Sequence, residues 1–193
     1  MNLPNKLTLM RIILVPVFMI FASFGKIGTP GYNSVMYLAA AIVFAAASFT
    51  DYLDGHLARK WNLVTDFGKF ADPLADKLLT TTAFLYMMAD GACSPVVLVV
   101  ILAREFAVSG LRMVAAGAPG GKVIAANMWG KVKTVLQMLV IIFYYVAAAF
   151  CPADAVGAVM LLSHALCWVV AAVTLISGVK YLWDNRSFIN TAK

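Results

Sequence analysis

Charge is what this sequence has least of. Of its 193 residues only 12% are Asp, Glu, Lys or Arg, while 63% are hydrophobic. Soluble domains carry about 25% charged and about 45–50% apolar residues. Both departures exclude an ordinary water-soluble globule and indicate an integral membrane protein. Cysteine and histidine are also scarce, at 3 and 2 residues. Cys93, Cys151 and Cys167 form no CxxC pair and have no ligand-like spacing to His56 or His164. That argues against a zinc site or a disulfide framework and leaves the cysteines as small buried residues. Repeats and low-complexity tracts are missing too, so residues 1–193 are expected to form a single integral-membrane domain.

What is present is apolar sequence in long blocks. A spanning helix needs about 20 mostly apolar residues, and six segments qualify: 7–24, 34–55, 69–89, 95–115, 128–150 and 156–182. The fold class expected is therefore all-α, a polytopic bundle of six transmembrane helices led by a short interfacial segment. The N-terminal "MNLPNKLTLMRIILVPVFMIFASF" lacks a convincing small-residue cleavage site and is expected to be retained. Small residues in "AAAIVFAAASF" suit close helix packing. With six spans, the termini and the second and fourth loops share one side. That side, with the adjoining helix ends, holds every lysine and arginine except Lys26, which makes it cytosolic. The opposite loops carry Asp90, Asp154 and Lys26 and form a near-neutral face.

The acids break the pattern. "DYLDGHLARK" puts Asp51 and Asp54 three residues apart at the end of the second apolar block. "GKFADPLADKLL" puts Asp72 and Asp76 four apart at the start of the third. Spacings of i,i+3 and i,i+4 place each pair on one helix face. A short loop makes the two helices antiparallel neighbours, so four carboxylates are expected to converge near the cytosolic boundary. Their mutual repulsion would force protonation unless divalent cations intervene, and hard oxygen ligands select Mg²⁺ or Mn²⁺. The expectation is a metal site of Asp51, Asp54, Asp72 and Asp76, holding two ions. The plainer reading is an interfacial mesh of these acids with Arg59, Lys60, Lys69 and Lys77. Gly55, Ala58 and Gly68 flank the acids and would let a bulky ligand approach.

Residues 51–76 read D-x-x-D-G-x-x-A-R-x₈-G-x-x-x-D-x-x-x-D. This resembles the signature of the CDP-alcohol phosphotransferase family at every motif position. "LPNKLTLMRIILVPVF", "REFAVSGLR" and "WGKVKTVLQ" resemble its bacterial branch that forms phosphatidylglycerophosphate. The resemblance implies transfer of the phosphatidyl group from CDP-diacylglycerol to sn-glycerol 3-phosphate with release of CMP. It further implies a homodimer in the bacterial cytoplasmic membrane, with metals and active site facing the cytosol. Asp76 would be both a metal ligand and the catalytic base. Asn5, Thr8, Gly55, Ala58, Arg59 and Gly68 would border CDP-diacylglycerol, with Arg59 forking the diphosphate.

The acceptor's phosphate needs cations of its own, and Arg104, Arg112, Lys131 and Lys133 are the candidates. Arg104 lies within an apolar run beside Glu105, and an ionisable group there is a functional candidate. One alternative is the same chemistry with another acceptor, such as inositol phosphate. A second is a divalent-metal carrier, opposed by the clustering of acids at one boundary with none expected mid-membrane on an outward path. "GAPGGK" is not a phosphate-binding loop, because Ala116 and Val123 stand where that motif needs Gly and Ser or Thr.

Overall fold

The computed structural model describes residues 3–28, 30–60, 66–117 and 128–186; side chains at 3–5, 51–60, 66–73, 76 and 116–117 lie outside the described residues. Within them the apolar blocks become six long helices. These are α1 (Leu3–Gly25), α2 (Ser34–Lys60), α3 (Asp66–Ala89), α4 (Pro95–Gly117), α5 (Met128–Ala149) and α6 (Val156–Asp184), the last preceded by a single 3₁₀ turn at Ala153–Ala155. No strand occurs among the described residues. Each helix coincides with a block read from the sequence to within a few residues. The N-terminal lead differs: it forms no separate segment but is the first turn of α1.

Among the described residues, three helical stretches are long and apolar enough to cross a membrane: Lys6–Gly25, Met128–Ala149 and Ala153–Asp184. A shorter apolar stretch covers Ser34–Thr50. The remaining helices are interrupted by the charges that matter below: Asp72, Asp76 and Lys77 in α3, and Arg104, Glu105 and Arg112 in α4.

Packing follows from which face of each helix is apolar on both sides. α1 buries Val15, Phe18 and Ala22 and leaves Ile13, Ile20 and Phe24 exposed. Such exposed apolar stripes on every helix are the surface that lipid would cover. α1 lies against both α2 and α3, α5 against α2 and α6, and α4 against α6. Ala40, Ala41 and Ala47 are buried in α2, as expected for close approach of neighbouring backbones. Phe18 meets Tyr145 edge-on at 5.2 Å and Tyr144 meets Tyr145 at 5.1 Å, within the range of favourable aromatic pairs. Cys93 and Cys167 are buried free thiols, whereas Cys151 is only partly covered, a departure from the uniform burial expected.

The end of the bundle near the α3–α4 turn is closed by phenols. Tyr37 donates to Asp90 Oδ2 at 2.8 Å and Tyr144 donates to the same oxygen at 2.6 Å. The amide of Ile27 in turn donates to the Tyr37 hydroxyl at 3.0 Å. Gly25 makes room, since a Cβ there would fall 2.5 Å from the Tyr37 ring. Asp90, expected in an open loop, is thus drawn inward. Burial raises its carboxyl above the ordinary range, and the two phenols oppose that shift. Replacing Asp90 by Ala strands two buried hydroxyls, at a cost of about 1–3 kcal/mol. Thermal unfolding in detergent should show a lower midpoint for Asp90→Ala and a smaller loss for Asp90→Asn, which keeps an acceptor.

Candidate functional site

Asp51 and Asp54 lie in the last turns of α2 and Asp72 and Asp76 in the early turns of α3, so each pair shares a helix face. The two helices touch, and α1 packs against both. The side chains of all four acids, and of Asn5, Gly55, Ala58, Arg59 and Gly68, lie outside the described residues, as does the "GAPGGK" segment apart from Gly117 at the end of α4. The donor set can be judged by its chemistry. Four carboxylates, phased in two pairs on touching helices and with no sulfur or imidazole among them, fit Mg²⁺ or Mn²⁺.

α1 contributes two buried polar residues beside this region. Thr8 is 1% exposed and Arg11 is 0% exposed. Arg11 Nε donates to the carbonyl of Ala47 at 3.4 Å, and Thr50 Oγ1 donates to the same carbonyl at 2.7 Å. Ala47 stands one helical turn before Asp51, so the guanidinium meets α2 at the turn that leads into the acidic pair. A permanent cation is buried so completely only among groups that compensate it. By the orientation rule Arg11 counts merely as one more cation at a helix end. Its position inside "LMRIILVP", an otherwise apolar run, was the available signal.

The acceptor candidates separate into two sets. Arg104 of α4 and Lys133 of α5 come together on Glu105. Arg104 Nη1 donates to Glu105 Oε1 at 2.9 Å, and Lys133 Nζ donates to the same oxygen. Lys77 Nζ of α3 lies 3.8 Å from Oε2. Arg104 Nη2 donates to Ser177 Oγ of α6 at 2.9 Å. The side chains of Lys133 and Arg104 are 5% and 10% exposed, so this is an interior cluster. Arg112 stands apart, with Nε donating to the Tyr181 hydroxyl at 3.0 Å and its guanidinium 5.5 Å from the Tyr181 ring centre. Lys131 is on an exposed face of α5.

Glu105 itself lies midway along α4 and is partly buried. Its oxygens are taken up by cations, which leaves it poorly suited to carry a metal ion.

Residues 1–176 match the family model described as CDP-alcohol phosphatidyltransferase. The chain belongs to that family. It is similar to the CDP-diacylglycerol–glycerol-3-phosphate 3-phosphatidyltransferase of Bacillus subtilis strain 168, with 41% identity over 99% of this chain and 98% of the relative. The protein of the same name from Rickettsia felis is 37% identical over 93% of each chain. That from Pseudomonas fluorescens is 36% identical over 94% of this chain and 89% of the relative.

Proposed function

We propose that this chain transfers the phosphatidyl group from CDP-diacylglycerol to sn-glycerol 3-phosphate, giving phosphatidylglycerophosphate and CMP. The observation that carries this reading is the 41% identity, across nearly the whole of both chains, to a Bacillus subtilis protein named for that reaction. The cluster of Arg104 and Lys133 supports a phosphorylated acceptor over serine, since a phosphomonoester supplies the anion that buried cations need.

The reaction is a substitution at phosphorus. The glycerol 1-hydroxyl attacks the phosphorus bonded to diacylglycerol, its new P–O bond replaces the bond to CMP, and CMP leaves with the electron pair. Asp76 accepts the hydroxyl proton. Asp51, Asp54, Asp72 and Asp76 would hold two Mg²⁺ or Mn²⁺ ions, which would supply charge neutralisation for the diphosphate and the developing negative charge. Arg59 grips the diphosphate, and Gly55, Ala58 and Gly68 leave space for the nucleotide. Asn5 and Thr8 border it from α1. Arg104 and Lys133 take the acceptor phosphate, with Arg112 and Lys131 as further contacts.

The setting is a bacterial cytoplasmic membrane, in which six helices span the bilayer as one domain and both termini face the cytosol. The protein works as a homodimer. An acid-lined site at that boundary lets a lipid-anchored diphosphate meet a water-soluble acceptor.

The test is CMP release by purified protein in detergent, with CDP-diacylglycerol, Mg²⁺ and a panel of glycerol 3-phosphate, serine and inositol phosphate. Glycerol 3-phosphate should be the acceptor used; faster release with either of the others overturns the proposal. Asp76→Asn should leave a folded, membrane-inserted protein whose turnover falls by about 10²-fold or more, the scale of a lost general base. Turnover near that of the wild type would remove Asp76 from the base role.

A further inference from the structure

We infer that Glu105 is a positioning residue, holding Arg104 and Lys133 in the arrangement that receives the acceptor phosphate. This inference rests on the transferase reading above. One oxygen, Oε1, accepts from Arg104 Nη1 and from Lys133 Nζ, so a single carboxylate joins cations from α4 and α5. Lys77 approaches the other oxygen from α3, and Arg104 reaches α6 through Ser177. Without an anion between them, two interior cations repel and turn toward solvent. With it, they stay together inside an apolar bundle before any substrate arrives.

The cluster is not saturated. Arg104 Nε is buried and has no hydrogen-bond partner among the described residues, while both terminal nitrogens are engaged. A buried donor left open on a fixed guanidinium is costly as pure structure. It is useful where a phosphate oxygen arrives to fill it, because guanidinium edges pair with phosphate oxygens. α6 is shaped for this placement. At Gly178 a Cβ would stand 2.9 Å from Arg104 Cγ, so glycine is what lets the arginine stem lie across the helix. The sequence marks neither Glu105 nor Gly178 as part of a phosphate pocket.

The experiment measures CMP release against each substrate separately for wild type, Glu105→Gln, Glu105→Asp and Gly178→Ala, with unfolding midpoints taken in the same detergent. Glu105→Gln should raise the KM for glycerol 3-phosphate about tenfold while the KM for CDP-diacylglycerol stays within about twofold, the signature of lost acceptor binding. Glu105→Asp, which retains the charge, should recover part of the loss. Gly178→Ala, which displaces the Arg104 stem and leaves Glu105 in place, should reproduce the same split. An unchanged KM for glycerol 3-phosphate, or equal shifts in both constants, overturns the inference, and Gly178→Ala decides it should Glu105→Gln not fold. A wild-type protein that releases no CMP with glycerol 3-phosphate overturns the function itself, a distinct result.

Discussion

An ion held in an apolar interior has to find in the protein what water would otherwise supply. That requirement organises this bundle more than any apolar contact does, because its charged groups recruit every helix. Arg11 joins α1 to the α2 carbonyl of Ala47. Glu105 gathers Lys77 from α3, Arg104 from its own α4 and Lys133 from α5. Arg104 then engages Ser177 of α6. Apolar packing is permissive by comparison, since lipid tails and leucine side chains solvate one another equally well. It can bring helices together in several ways, whereas a shared carboxylate allows few.

The opposite end of the bundle solves a smaller problem with neutral groups. Asp90 draws two tyrosine hydroxyls, one from α2 and one from α5, around a single oxygen. Tyr145 donates to the Ala83 carbonyl at 3.3 Å, linking α5 to α3. Phenols suit this position because each offers a large apolar ring to the core and a single hydroxyl to the carboxylate. Among the described residues, a cationic cluster around Glu105 and a phenolic cap around Asp90 are thus separate polar centres.

Much of the architecture was readable as blocks. Helix starts and ends follow apolar run length and the Gly, Pro and Asp that interrupt it, and these are local properties of the chain. The phasing of Asp51 with Asp54 and of Asp72 with Asp76 is local too, which is why the acidic pairs could be assigned to helix faces. Arg104 and Lys133 stand out in the sequence as cations, but their common tie to Glu105 is not legible there, because it depends on how α4 and α5 rotate against each other. Arg11 escaped for the same reason: its burial is set by α2, whose Ala47 is 36 residues away in the chain. Arg112 also depends on packing for its partner. Expected in the acceptor pocket from its charge alone, it meets Tyr181, a contact set by the packing of α4 on α6.

Tyr37 is fixed near the first turn of α2, and the acids of that helix begin at Asp51. Fourteen residues of α-helix separate the two positions, about 21 Å at the usual rise. The same helix is held near its acidic end as well, where Arg11 of α1 donates to the Ala47 carbonyl four residues before Asp51. Tied at both Tyr37 and Ala47, α2 carries the Asp51 backbone as a strut rather than a lever.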